Sequence, residues 1–404
     1  MGNKIEQKNS PSPKASEGRS KNVWYVGLLS FFGGISQDIF SPILPIYLTS
    51  VLGFDKVVVG IAEGIVTASV NISRIIAGLL SDKFKKNKPV IFLGYFLSMI
   101  ARPFLILFTS IGGVISLRLL DGIGKGLKDP AKDVLVAGSA EKKVRGRSFG
   151  IARMLDTLGS VAGPLMLFVL LYIFKDSKSL YHNILIFSAI PLIITLLLVF
   201  KLKEIPKKEL EKVEVKEFKG KFPPSFYIFI AIVVVFTLGN SSDAFLILRA
   251  KSLGITLLEI PLVIALFNLV YALAAVPFGS LSDKIGRIPT LVIGWIAFSI
   301  VYLGFGLASQ ASLIWFLYGF YGIYWATSEG VSRALLADIV NPDHRGRAYG
   351  IYGMAVGLTT IPSSILAGFL WDRFGAAIPF YFGATMSIIA VLSLIIFSKK
   401  FLKN

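Results

Sequence analysis

The sequence predicts an all-α membrane protein in which twelve transmembrane helices form two pseudo-symmetric six-helix bundles. The chain is 54% hydrophobic and only 16% charged, whereas soluble domains carry about 25% charged residues. Its apolar runs reach about 20 residues, the length that a spanning helix needs, and the pattern of the first half returns in the second. Since lipid offers the backbone no hydrogen-bond partners, the spans must be helical. Long segments without alternation exclude a β-barrel.

The apolar runs divide the chain into a tail, two bundles and a linker. We expect a cytoplasmic tail at 1–22, bundles at 23–200 and 224–404, and a cytoplasmic linker of mixed charge at 201–223. The predicted spans are 24–50, 57–81, 89–109, 112–138, 148–174, 182–200, 224–249, 258–281, 289–308, 311–337, 348–370 and 375–398.

The net charge of +18 would suggest nucleic acid in a soluble protein. Here most Lys and Arg residues of the connections fall on the side of the two termini, which is the cytoplasmic side by the positive-inside rule. We therefore expect a multi-pass protein of the cytoplasmic (inner) membrane with both termini inside and no nucleic-acid partner. The first apolar run is long enough to stay in the membrane, so we expect a retained helix rather than a cleaved signal.

Two short segments repeat at an offset of about 200 residues. Segment 78–83 returns at 279–284, and segment 145–151 returns at 345–351. Both repeats fall on predicted cytoplasmic connections, after the second and the fourth helix of each half. This regular placement indicates duplicated halves.

Several motifs resemble those of the major facilitator superfamily. Its loop motif G-x-x-x-D-[RK]-x-G-[RK]-[RK] matches, in the second half, Gly279, Asp283, Lys284, Gly286 and Arg287. In the first half it matches Gly78, Asp82 and Lys83, with Lys85 where glycine is usual. Segment 42–47 is similar to P-x-x-P-x-Y, and 118–124 to R-x-x-x-G-x-G. The family's antiporter motif is matched, without its last glycines, by Gly159, Gly163 and Pro164.

The resemblance covers about residues 24–398, and the R-x-x-D-x-x-G-K-G pattern in the fourth span is similar to a microbial subgroup. It implies the major facilitator fold and transport of a small molecule by alternating access. It also implies that Asp82 and Asp283 hold the two bundles together in one state by facing a helix N-terminus, which favours an anion. We expect a monomer that needs no cofactor.

Charged residues inside predicted spans cost at least about 2.5–3.5 kcal/mol each at the bilayer centre. We therefore expect a central substrate or proton cavity, lined by Asp38, Glu63, Arg118, Asp121, Asp243, Glu329 and Arg333. The alternative is pairing between helices that only shapes the bundle. Spacing on a helix allows the pairs Asp121–Lys125, Lys125–Asp129 and Glu329–Arg333. Three further charges are expected to be structural: Arg102, Arg153 and Asp156.

Aromatic residues are concentrated on the tenth predicted span, where they include Trp315, Tyr318, Tyr321, Tyr324 and Trp325. We expect them to pack towards lipid or at its interface, where aromatic side chains are enriched. Lining of a hydrophobic binding pocket is the alternative.

The residue inventory argues against an enzyme. There is no cysteine, and the two histidines, His182 and His344, lie in or beside loops. No nucleophile–base pair or metal-ligand set is therefore expected in the membrane. The chemistry favours a secondary active transporter, with membrane carboxylates as proton carriers and proton-coupled export as the preferred mode. Uptake or facilitated diffusion of a small metabolite or ion is the alternative, and a membrane receptor that does not transport is a remote one.

Overall fold

The structure, a computed structural model, describes residues 13–84, 86–140, 145–175, 177, 179–204, 222–341 and 344–401. Most of the predicted linker lies outside these residues. The described part contains helices and no β-strand. The helices of the first half are α1 (Pro13–Phe40), α2 (Leu44–Ile46), a π-helical turn (Tyr47–Val51), α3 (Lys56–Phe84), α4 (Lys88–Phe104), α5 (Ile111–Ser139), α6 (Arg145–Phe174) and α7 (Leu180–Val199).

The second half repeats this order. Its helices are α8 (Pro224–Gly239), α9 (Ala244–Ser252), α10 (Ile260–Ile285), α11 (Arg287–Leu307), α12 (Ala311–Ile339), α13 (Arg345–Phe374), α14 (Ile378–Ile396) and the short α15 (Ser398–Phe401). Eight helices of the described chain are long and apolar enough to cross a membrane. The other four expected spans are helical too. Among them α4 has only 17 residues, and α5 carries the charged cluster around Asp121.

The two halves pack by the same scheme. In the first half α1 packs on α6 and α7, α5 on α3 and α4, and α4 on α7. In the second half α8 packs on α13 and α14, α12 on α10 and α11, and α11 on α14. These are the same contacts between corresponding spans, so the predicted pseudo-symmetric bundles are confirmed.

Two of the expected spans are broken in their second half, which the sequence pattern did not predict. The first span stops at Phe40 and resumes at Leu44, because Pro42 lacks an amide hydrogen and disfavours helix in Ser41 before it. The seventh span is interrupted between Gly239 and Ala244, where no proline is present. The breaks lie at corresponding positions of the two halves, an arrangement that in transporters points to the binding site.

The halves meet closely at one end of the bundle. We call the end where α1 and α8 begin the tail end, and the other the far end. At the far end α3 lies against α13, with the Gly60 backbone on the Ser364 carbonyl and Gly368 on the Lys56 carbonyl. Neither glycine has room for a side chain. A shared apolar core adds Phe40 and Leu44 from the first half, and Ala244 and Leu248 from the second.

Candidate functional site

The centre of the first half is an ion cluster around Asp121 on α5. The Lys125 ammonium lies 2.7 Å from one carboxylate oxygen of Asp121, and the Arg118 guanidinium lies 3.2 Å from the same oxygen. The Arg102 guanidinium on α4 lies 3.6 Å from the other oxygen. Asp121 is only 1% exposed, so its charge depends on these three cations. The predicted Asp121–Lys125 pair is confirmed.

Arg118 and Arg102 extend this cluster to two more helices. Arg118 lies 2.7 Å from the Glu63 carboxylate on α3, while Arg102 donates hydrogen bonds to Ser36 and Gln37 on α1. Both guanidinium groups stand over the Phe40 ring, at 5.4 and 5.0 Å from its centroid. The cluster therefore ties four helices of the first half together.

The charges of α5 nearer the tail end form a second group. Asp129 lies 3.4 Å from Arg74 on α3 and 3.3 Å from Lys132 on α5. Lys125 points to Asp121, and no Lys125–Asp129 ion pair is present in the described residues. Lys128 stands over the Tyr95 ring at 4.4 Å. These contacts fit the structural alternative for this part of the helix.

The break in the seventh span places Asp243 at the start of α9. Its carboxylate accepts a hydrogen bond of 2.7 Å from the Tyr321 hydroxyl, and it has no Lys, Arg or His within 4 Å among the described residues. It is exposed, and its neighbour Ala244 belongs to the apolar core that the two halves share. The backbone of the break is held by α13, where Ser363 donates to the Leu238 carbonyl and Ser364 accepts from the Ser242 amide. Asp243 is thus a fixed acid between the halves.

A large cavity opens from the middle of the protein towards the tail end. It encloses about 1210 Å³ and is lined mainly by the second half, with Asn71 and Arg74 from the first. The aromatic residues along it are Phe236, Trp295, Tyr324, Trp325, Tyr349 and Tyr352. Since the far end is closed, the structure corresponds to a state open at the tail end.

The predicted cavity residues occupy different surroundings. Glu329 and Arg333 line the cavity, and they form the predicted pair at 3.3 Å. Glu329 also accepts a hydrogen bond of 2.9 Å from Tyr271. Arg118 and Asp121 are buried inside the first half, where Glu63 pairs with Arg118.

The antiporter-like motif lies at the contact between α1 and α6. Gly159 faces the Phe31 backbone, and Gly163 faces Ile35 and Asp38. Pro164 follows inside α6. Asp38 is therefore turned towards α6 rather than towards the cavity. Arg153 and Asp156 of the same helix pair with each other at 3.1 Å.

The second copy of the loop motif lies where α10 ends and α11 begins. Arg287 bonds Asp283 and also lies 3.4 Å from Asp338. Gly286, between α10 and α11, has a φ of +95° that favours glycine. Asp283 thus pairs with an arginine of the same half in this state, and among the described residues it accepts no hydrogen bond from a helix N-terminus. Two further members, Gly279 and Lys284, lie near the end of α10. The side chains of the first copy, Gly78, Asp82 and Lys83, lie outside the described residues.

The aromatic residues of α12 correct one expectation. Tyr318, Tyr321 and Tyr324 are at most 5% exposed and belong to the core of the second half, so the prediction that they face lipid was wrong. Their spacing of three residues places them on one helix face, a signal that could have identified this wall. Sequence reasoning also missed Arg102 as a member of the Asp121 cluster.

Comparison with known proteins agrees with this architecture. The family profile described as Major Facilitator Superfamily matches residues 26–248 and 227–402. An uncharacterized MFS-type transporter of Methanocaldococcus jannaschii is 35% identical over 384 residues, which are 93% of this chain and 94% of the relative. The class B tetracycline resistance protein of Escherichia coli is 31% identical over 132 residues, or 32% of each chain. The crystal structure of a D-xylose-proton symporter has a TM-score of 0.76 at 17% identity, covering 92% of this chain and 96% of that one.

Proposed function

Because the chain belongs to the Major Facilitator Superfamily, we propose that it exports a small molecule across the cytoplasmic membrane in exchange for protons. Members of this family are membrane transporters rather than enzymes. The seven predicted cavity residues contribute to this proposal in different ways. The clustered charges hold the first half together, and Asp243, at the break of the seventh span, carries the proton.

Alternating access is supported by the two ends of the bundle. The far end is closed by contacts between α3 and α13, and the cavity opens towards the tail end. If the tail end is cytoplasmic, as the distribution of Lys and Arg indicates, the structure is ready to accept a solute from the cell. Rocking of the two halves about the central site would then release the solute outside.

The single observation that carries the proton-coupling proposal is the environment of Asp243. Asp121 is held by three cations, so protonation would leave buried positive charge without compensation. Asp243 has only the Tyr321 hydroxyl as a close partner in the described chain. A proton can therefore neutralise Asp243 without breaking an ion pair. The neutral side chain then costs little free energy to keep within the membrane while the two halves change state.

Export is preferred over uptake for two reasons. The segment from Gly159 to Pro164 resembles the antiporter motif, and one partial relative is a tetracycline resistance protein. Uptake with protons remains the second candidate, and the direction of proton movement separates the two.

The test begins with a thermal-shift screen of small molecules on the purified protein. Each compound that stabilises the protein is then added in weakly buffered detergent solution while the pH is recorded. Linkage requires that an exchanger releases protons when it binds its substrate. Release that is lost in Asp243→Asn, at compound concentrations that still saturate the variant, is the expected result. Proton uptake on binding would indicate symport, and no proton movement between about pH 5 and 8 would remove proton coupling altogether.

A further inference from the structure

Asp243 stands beside a continuous wall of aromatic side chains. We define the aromatic wall as Phe236, Phe267, Tyr321, Tyr324 and Trp325. Its rings follow one another at centroid distances of 5.4 Å from Phe267 to Tyr321, 5.4 Å from Tyr321 to Tyr324 and 6.1 Å from Tyr324 to Trp325. Tyr321 bonds Asp243, and Tyr324 accepts a hydrogen bond of 3.0 Å from Asn240, at the other end of the helix break. The acid and the wall are thus one site.

Polar atoms of this site have no partner within the described part of the protein. The Tyr318 hydroxyl, on a side chain that is 4% exposed, and the Trp325 indole nitrogen make no hydrogen bond. Tyr318 lies about one helical turn from Tyr321, which donates its hydroxyl hydrogen to Asp243. The site is therefore rich in hydroxyl oxygens and ring faces, which carry negative potential.

The nearby cations are already bound to other acids. Arg118 holds Glu63 and Asp121, Arg74 holds Asp129, and Arg333 holds Glu329. None of these basic side chains lies within 4 Å of Asp243 in the described structure. A cation at Asp243 must therefore come from the substrate.

We propose that this site binds an organic cation with an aromatic or bulky apolar body. Its charge pairs with the Asp243 carboxylate beside the rings of Tyr324 and Trp325, which line the cavity, because cations are attracted to aromatic faces within about 6 Å. A bare Ca²⁺ or Mg²⁺ ion needs six or more oxygen ligands, which a wall of ring carbons does not offer. The cavity reaches Tyr324 and Trp325 and provides about 1210 Å³ for the apolar body.

The inference rests on the proposed function. It also accounts for the charge on Asp243 at each step of the exchange. One monovalent organic cation neutralises Asp243 as one proton does, so the two cannot occupy the acid together. Exchange of one for the other then moves no net charge through the protein. Exclusive binding at a shared carboxylate is also the simplest physical source of coupling between substrate and proton.

The experiment compares two ions of the same size and shape and of opposite charge. Tetraphenylphosphonium and tetraphenylborate are titrated by calorimetry into the full-length protein in detergent, with empty micelles as the blank. We expect the phosphonium to bind more tightly than the borate. Asp243→Asn should weaken phosphonium binding by about tenfold or more, and Asp243→Glu should restore it to within about threefold.

Two further variants complete the design. Asp55→Asn removes one carboxylate from the exposed connection before α3, and it should leave phosphonium affinity unchanged. Trp325→Leu removes one ring of the wall and should weaken binding about threefold to thirtyfold. This variant decides the matter if Asp243→Asn does not fold. Unchanged affinity in Asp243→Asn or in Trp325→Leu, equal binding of the two ions, or binding of neither would overturn the cation site.

The same titrations separate this inference from proton coupling. Phosphonium binding that depends on Asp243 but releases no protons would support the cation site and contradict proton exchange. Proton release with another compound, in a protein that ignores the phosphonium, would support proton exchange and overturn the cation site.

Discussion

The Asp372 carboxylate on α13 accepts a hydrogen bond of 3.1 Å from the Val57 amide at the start of α3. It also lies 4.0 Å from the Lys56 ammonium. The second half thereby holds the first half at the far end, where the positive end of the α3 dipole favours an anion. This contact must break when the far end opens.

We therefore expect Asp372→Asn to favour the state that is open at the far end. The loss of about 0.3–1 kcal/mol at a helix terminus corresponds to a shift of about two- to fivefold. The chain has no cysteine, so Leu248→Cys, buried in the far-end core, can serve as a single labelling site. Its rate of maleimide labelling should rise in Asp372→Asn. In Arg373→Gln, which changes the neighbouring charge, the rate should stay that of the parent; an equal rise in both variants would contradict the specific contact.

A second prediction contrasts two acids of the membrane region. Asp121→Asn should destabilise the protein by about 3–5 kcal/mol, because it leaves Arg102, Arg118 and Lys125 around an uncharged amide. Asp243→Asn should unfold at the same temperature as the parent, since no basic side chain of the described protein contacts Asp243. Thermal unfolding in detergent measures both. If Asp121→Asn were as stable as the parent, Asp121 would not be the centre of the ion cluster.

The third prediction concerns Arg118, which reaches Glu63 with one nitrogen and Asp121 with another. A lysine keeps the charge but has a single ammonium in place of this fork. Arg118→Lys should therefore change the pH dependence of transport more than it lowers the unfolding temperature. Lys125→Arg, on the same helix, is the matched control. An unaltered pH profile in Arg118→Lys would make Arg118 a structural residue only.

The fourth prediction tests the orientation on which the direction of transport depends. Reporter fusions after Lys88, Arg147, Lys212 and the C-terminus should read as cytoplasmic. Fusions near Ser110 and Ser177 should read as external, because the connections there carry few basic residues. A consistently reversed pattern would place the tail end outside and turn proposed export into uptake.

The sequence predicted the number of spans and the repeat, because apolar length and duplicated motifs are local properties. It also predicted pairs along one helix, such as Asp121–Lys125 and Glu329–Arg333. It did not predict that Arg102 meets Asp121 or that Arg118 meets Glu63. Those pairs depend on how α3, α4 and α5 are rotated against one another, which spacing along a single helix does not encode.

The broken seventh span shows the same difference. Asn240 to Asp243 reads as a polar patch within an apolar run, and no proline marks a break. The break is supported by Ser363 and Ser364 of α13, more than a hundred residues away in the chain, which bond its free backbone groups. The packing of α13 on α8 supplies hydrogen-bond partners for these backbone groups. An interrupted helix is therefore stable within the membrane.

The close contact of α3 with α13 has a thermodynamic consequence. At Gly60 and Gly368 the two helices meet through main-chain carbonyls instead of large side chains. When they separate, the newly wetted surface there consists largely of peptide groups, which water hydrates well. Exposure of apolar surface is what gives a transition its large positive heat-capacity change. We therefore expect these glycine contacts to add little to the heat-capacity change of the transition, which the apolar core around Phe40, Leu44, Ala244 and Leu248 should dominate.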